Sequence, residues 1–291
     1  MLYLGLDIGG SASRWVACDA SGAEVARGQS AGATGLIFDP AARARLVAAL
    51  APARAALPGL SAAYLGMTGA GFRSDPDLHG LVAGALNLPE ARVTIVNDMV
   101  LACRAVWPQE QGHLVNAGTG SVGFSLKGGL TLVGGRGTLI DDAGSAAWIA
   151  LRALDALWRR IDEAGHPEGA KILAETLFDA LGGEDWEATR RFVYGQSRGE
   201  IGTLARAVAT AAHRGDALAL DLMARAGAEL ARLARALVAR AGPAPVAVIG
   251  GVLALHPDVR GALLQGCPGL DLTFPEPDLA RAAAHLARAG G

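Results

Sequence analysis

The sequence predicts an α/β protein of two lobes, and three observations lead there. One phrase occurs twice: Leu6-Asp7-Ile8-Gly9-Gly10-Ser11 near the start, and Val115-Asn116-Ala117-Gly118-Thr119-Gly120-Ser121 more than a hundred residues later. Each copy lies between two short apolar runs, which reads as strand, tight glycine turn, strand. Around both copies, strand-like and helix-like segments succeed one another along 291 residues, enough chain for two hydrophobic cores.

Apolar runs at 2–7, 14–18 and 24–28 predict a three-strand meander with a turn at 19–22. Residues 41–56 predict a helix, with Leu46 and Leu50 on its apolar side and Arg43, Arg45 and Arg54 on the other. Runs at 63–67 and 93–96 predict short strands ending in polar turns, and 98–107 a helix halted by Pro108. A second meander is predicted over 113–127 and 130–133, then a glycine loop at 134–137. The helix expected at 145–164 carries Ala150, Leu154, Leu157, Trp158 and Ile161 on one face. Helices are expected at 169–181, 186–194, 200–213 and 216–240, the last with a stripe of Leu222, Ala226, Leu230, Leu233 and Leu237. Residues 246–252 read as a buried strand closed by Gly250-Gly251, and 278–287 as a final helix. A lobe boundary near 108–112 divides the chain into 1–110 and 111–277, with 278–291 returning to complete the first lobe.

Composition narrows the function classes. Hydrophobic residues make up 51% and the net charge is −2, so no basic surface for nucleic acid is expected. The N-terminal run has no basic start and no cleavage region, and no apolar stretch is long enough to span a bilayer. Cys18, Cys103 and Cys267 are far apart, without the spacing of a zinc or iron–sulfur motif. The expectation is a cytoplasmic protein with reduced thiols and no membrane partner.

Successive backbone N–H groups in a glycine turn form an anion-binding nest, and glycine lets a ligand approach the chain closely. Two such turns in two halves of one chain can hold one polyphosphate from both sides. Gly9, Gly10 and Ser11, and Gly118, Thr119, Gly120 and Ser121, are therefore the candidate phosphate contacts.

Five blocks in order carry a resemblance: Leu4-Gly5-Leu6-Asp7-Ile8-Gly9-Gly10-Ser11, Val96-Asn97-Asp98, Asn116-Ala117-Gly118-Thr119-Gly120-Ser121, Gly134-Gly135-Arg136-Gly137 through Asp142-Ala143-Gly144-Ser145, and Ile249-Gly250-Gly251-Val252. Over essentially its whole length the chain resembles the actin-like ATPase and sugar-kinase superfamily, and within it the N-acetylglucosamine kinase branch grouped with BadF/BadG-type ATPases. The resemblance implies a two-lobed actin-like (ribonuclease H-like) fold, each lobe a mixed five-stranded sheet flanked by helices. It also implies ATP and Mg²⁺ as cofactors, an amino sugar such as N-acetylglucosamine or glucosamine as substrate, and a homodimer.

The same resemblance implies a role for each matching residue. Asp7 holds Mg²⁺ indirectly against the phosphates; the structural alternative is a turn aspartate that accepts backbone N–H bonds. Asp98 is the catalytic base that takes the proton of the attacking sugar hydroxyl; alternatively it is only a helix N-cap. Thr68, Asn97, Thr119, Gly135, Arg136 and Asp142 are expected to contact the sugar, with a helix cap as the alternative for Asp142. Gly250 and Gly251 would let adenine and ribose lie against backbone. The chain departs from the family pattern where Asp141 replaces a glycine, Ala143 a glutamate and Arg136 a tryptophan, and Gly32-Ala33-Thr34-Gly35 lacks an expected asparagine. Arg136 exchanges an aromatic platform for a cation that prefers anionic or hydroxyl-rich ligands. Two further readings stand beside the kinase: an ATPase activator of a 2-hydroxyacyl-CoA dehydratase or benzoyl-CoA reductase system, and a non-catalytic nucleotide- or sugar-binding protein of the same fold.

Overall fold

The computed structural model describes residues 1–290. The described chain divides into two compact units, one of residues 1–109 and 276–290, the other of 110–275.

In the first unit, β1 (Leu2–Ile8), β2 (Ala12–Asp19) and β3 (Glu24–Ala31) form the antiparallel meander. Helix α1 (Pro40–Ala56) starts where the Asp39 side chain accepts from the Ala42 N–H and Pro40 supplies a preset φ. Strand β4 (Leu60–Met67) pairs parallel with β1. Helix α2 (Pro76–Leu86), capped by Asp75, was not anticipated from the sequence pattern. Strand β5 (Val93–Asn97) then pairs parallel with β4, and α3 (Asp98–Val106) comes next without a loop. The sheet order is β3-β2-β1-β4-β5. One face packs on Leu46, Leu50, Leu78 and Val82 of α1 and α2.

The second unit repeats this plan. Strands β6 (His113–Ala117), β7 (Ser121–Ser125) and β8 (Thr131–Gly134) form its meander. A helical block intervenes: α4 (Ala146–Ala164), α5 (Lys171–Leu181), α6 (Trp186–Gly195), α7 (Arg198–Thr203), α8 (Ala205–His213) and α9 (Ala217–Ala241). Strand β9 (Val246–Ile249) then pairs parallel with β6, and after α10 (Pro257–Gln265) the two-residue β10 (Leu272–Thr273) pairs parallel with β9. The order β10-β9-β6-β7-β8 is that of the first sheet read from its other edge. The expected single helix over 200–213 is two. It is interrupted at Leu204, whose N–H bonds to Ile201 three residues back, and α7 begins earlier than expected, at a capping box of Ser197 and Glu200.

Helix α11 (Leu279–Gly290) belongs to the first unit, where Ala280, Ala283, Ala284 and Ala287 pack with Tyr3, Val16 and Tyr64. A Cβ on Gly5 of β1 would run into the α11 backbone at Ala280 and Ala284, so glycine and alanine set this close approach.

Candidate active site

The parallel register of β1, β4 and β5 places Ile8, Met67 and Asn97 side by side. The next residues after these three strand ends therefore lie along one carboxyl edge of the sheet: the Gly9-Gly10-Ser11 turn, the Thr68-Gly69-Ala70 turn, and Asp98. Ligands of open α/β sheets bind at such edges. The Gly9 N–H donates to Ala12 O at 3.0 Å and closes the turn, while Ser11 is exposed. A Cβ on Gly10 would meet nothing within 4 Å, and its φ lies outside the left-handed region, so neither packing nor backbone shape demands glycine there.

Asp7 is the electrostatic centre of this edge. Burial pushes its carboxyl up from 3.8 to about 6; the Arg14 guanidinium, 3.8 Å away, opposes this, and the negative charges of Asp98 and Asp278 add to it. Asp7 and Asp98 are thus near enough to repel. Asp98 is the first residue of α3, half-buried, with Oδ1 accepting from the Met99 N–H at 3.0 Å. The cap itself is Asn97, not Asp98: Asn97 Oδ1 accepts from the Met99 N–H at 2.9 Å and Nδ2 donates to Ala70 O at 2.8 Å. Both ends of the Asn97 amide are thereby committed to tying the 68–70 turn to α3. Thr68 is half-buried, and its carbonyl accepts from the Gly35 N–H at 2.9 Å and from Thr34 Oγ1 at 3.2 Å.

In the second unit Asn116 and Ile249 are in register, which sets the 118–121 hairpin beside the 250–251 turn. Gly250 has φ 112°, and a Cβ there would run into the Ala117 backbone, whereas one on Gly251 would meet nothing within 4 Å. The carbonyls of Gly118 and Thr119 accept from Ala146 and Ala147 at the start of α4, at 3.0 and 3.3 Å. A Cβ on Gly120 would stand 2.9 Å from Asp142 Oδ2, so this glycine makes room for the carboxylate. Ser121 is buried and its hydroxyl donates to Ala143 O at 2.7 Å; it braces the hairpin from behind.

Asp142 is buried as well, at 2% exposure and φ 59°. It accepts from the Ser121 N–H and from Thr138 Oγ1, both at 3.4 Å, and pairs with Arg198 at 3.2 Å. It does not cap α4, a role that Ser145 fills through the Trp148 N–H. Gly135 has φ 71° and packs on Val122, and the exposed Arg136 pairs with Asp141 at 3.0 Å. Arg198 is the site residue that sequence reasoning missed. Its one local signal is a cation in the first turn of a helix, where the macrodipole disfavours it unless a carboxylate holds it.

A divalent cation fits the Asp7 edge on charge: a carboxylate that is costly to ionise beside a second one is relieved by a cation. Among the described residues no group of three or more His, Cys, Asp or Glu side chains is placed to hold a metal ion. Any such ion would therefore rest on Asp7 together with phosphate and water oxygens.

Two mixed five-stranded sheets of one topology, each bearing a glycine hairpin at the end of its first strand, define the class as actin-like, the fold of the sugar kinases. The chain belongs to the BadF/BadG/BcrA/BcrD ATPase family, whose model matches residues 4–263. It is similar to an N-acetylmuramic acid/N-acetylglucosamine kinase from Clostridium acetobutylicum, at 29% identity over 50% of this chain and 48% of that one. It is also similar to a glucosamine kinase from Vibrio cholerae, at 33% identity over 52% and 53%. The match thus spans about half the length of each of these relatives. A protein from Chromobacterium violaceum proposed to be an N-acetylglucosamine kinase has a crystal structure that superposes with a TM-score of 0.79 at 26% identity, over 98% of both chains. A glucokinase of the ROK family from Streptomyces griseus, solved with glucose and AMPPNP, shares the fold at a TM-score of 0.56 and 20% identity, over 99% of this chain and 98% of that one.

Proposed function

We propose that this protein is a kinase that transfers the γ-phosphate of ATP to a hydroxyl of an amino sugar. One observation carries the reading: the parallel register of β1, β4 and β5 gathers Asp7, the glycine turn, Thr68 and Asp98 on one sheet edge, with the Asp98 charge close enough to help raise the Asp7 carboxyl. The kinase names of both relatives matched over half their length, and of the Chromobacterium protein, agree with it.

Asp98 takes the proton of the attacking hydroxyl, held at the start of α3 by the Asn97 cap. Thr68 offers its hydroxyl to the sugar from the neighbouring turn. The backbone N–H groups around Gly10 face the phosphates, and the open space beside that glycine leaves room for them. Gly251, likewise unobstructed, is where the nucleoside lies against backbone. Mg²⁺ at Asp7, when bound, offsets the charge that builds on the phosphate oxygens. Asp142, Asn97 and Ser121 shape the site from within, through bonds to the protein itself. The activator reading needs cysteines free to ligate a cluster, but Cys18 and Cys267 are buried and burial pushes both thiols up, away from thiolate.

The reading is tested by ATP turnover across a panel of glucosamine, N-acetylglucosamine and related hexoses. At least one amino sugar should raise turnover well above the basal rate; a flat panel sinks the proposal. Asp98→Asn should then lower kcat by about 10²–10⁴-fold while calorimetric ATP affinity stays put, because the carboxylate acts on the acceptor hydroxyl and not on the nucleotide.

A further inference from the structure

The tip of the 118–121 hairpin leaves two donors open. The Gly118 N–H is spent on Gly120 O at 2.9 Å, and the Ser121 N–H on Asp142 Oδ1 at 3.4 Å. Those of Thr119 and Gly120, between them, meet no protein acceptor among the described residues. Two successive unpaired N–H groups form a nest for a phosphate oxygen.

Directly behind this nest stands a charge of the wrong sign. Asp142 is 2% exposed, and its Oδ2 lies 2.9 Å from where a Cβ on Gly120 would be. A carboxylate so placed, and so shielded from water, repels a phosphate that arrives from the front. Two of its partners are neutral and distant, the Ser121 N–H and Thr138 Oγ1, both at 3.4 Å. Among the described residues only the Arg198 guanidinium, 3.2 Å from Oδ2, pairs with it as a cation. Arg136 and Arg232 pair with the neighbouring Asp141 instead, at 3.0 and 3.9 Å.

The fold fixes Arg198 in that place. It opens α7, where the capping box of Ser197 and Glu200 sets the entry of the chain. Glu200 Oε2 accepts from the Ser197 N–H at 2.8 Å, so the box occupies the one carboxylate of this short helix and leaves the guanidinium to Asp142. Helix α7 also packs on the hairpin itself: a Cβ on Gly202 would stand 3.7 Å from Thr119 Cγ2.

We infer that Arg198 is a positioning residue for nucleotide binding. By cancelling the Asp142 charge it lets the carboxylate hold the Ser121 N–H, and with it the shape of the hairpin, without repelling the phosphates that the Thr119 and Gly120 N–H groups receive. The inference rests on the kinase reading and deepens it, because it assigns the charge balance of one phosphate cradle to a residue outside every glycine motif.

Calorimetry of ADP, AMP and adenosine on the full chain tests it through opposite signs. Arg198→Met should weaken ADP binding by roughly ten- to a hundredfold, the effect of one uncompensated charge close to the phosphates. The loss should be less for AMP and least for adenosine, which carries no phosphate. Asp142→Asn, whose amide oxygen can still accept from the Ser121 N–H, should instead tighten ADP binding, since Arg198 is then uncompensated beside the cradle. The double variant Arg198→Met/Asp142→Asn should bind ADP within a few-fold of wild type, although the arginine stem is still missing. If the unpaired buried carboxylate keeps Arg198→Met from folding, Asp142→Asn and the double variant, neither of which buries a lone carboxylate, still decide the signs. The inference is overturned if Arg198→Met weakens all three ligands alike, which would mean a displaced helix. It is also overturned if Asp142→Asn fails to tighten ADP binding, if the double variant is not rescued, or if the wild type binds no ADP. A flat sugar panel beside intact ADP binding would sink the kinase reading and leave this charge balance standing, so the two failures are told apart.

Discussion

Asp7 is the residue with the largest stake in this fold. Its carboxyl titrates near 6 in the folded chain and near 3.8 when unfolded, so between those values the folded state holds a proton that the unfolded state has released. Stability must therefore fall as pH rises through that window, by roughly 3 kcal/mol for a two-unit shift. Asp7→Asn should remove this slope: urea denaturation without divalent ions should show wild type losing stability relative to the variant between pH 4 and pH 6, and a constant difference would show that the carboxyl ionises normally. The other residues divide by how local their meaning is. Asp7, Thr68 and Asp98 were legible because each stands where a strand gives way to a turn, a pattern carried by a few adjacent positions. Asn97, Ser121 and Asp142 were read as facing a ligand, and the structure gives their polar atoms protein partners. That difference could not be seen in the sequence, since Ala70, Ala143 and Arg198 lie 27, 22 and 56 residues from the groups they satisfy. Arg198 itself carries no motif.

Among the elements, α11 depends most on a single position. Its alanine face closes on β1 at Gly5, and the neighbouring atoms there are backbone, which cannot move aside as a flexible side chain can. Gly5→Ala should cost about 3 kcal/mol by overpacking, read as a lowered urea midpoint; an unshifted midpoint would mean that α11 seats loosely. The long striped helices α4 and α9 were legible because amphipathic periodicity persists over many turns. Helix α2 carried a readable start in Asp75-Pro76, but Gly80 and Gly84 dilute its pattern. Strand β10 was illegible for a different reason: two residues have no period, and only the parallel register with β9 makes them a strand.

At the scale of the molecule, the repeated glycine phrase proves to be the visible part of a repeated topology, since both sheets run a meander into parallel strands. The helical block between β8 and β9 stands where the first unit has the single helix α1 between β3 and β4, which is why the repeat fades from the sequence after the hairpins. Each unit has its own core, but only the second is continuous in sequence. Residues 110–275 expressed alone should therefore fold, with cooperative loss of helical circular dichroism on heating. Residues 1–109 alone should aggregate or stay unfolded, and joining them by a flexible linker to 276–291 should restore folding. A stable 1–109 fragment would show that the helix is dispensable. The same discontinuity bears on biosynthesis. On the ribosome, the tyrosines and the cysteine that α11 is destined to cover, Tyr3, Cys18 and Tyr64, emerge about 215 to 275 residues ahead of it. At ordinary elongation rates that leaves roughly ten to fifty seconds in which the nascent first unit shows a greasy, unroofed sheet, a wait that makes it the natural client of a holding chaperone until translation delivers the missing helix.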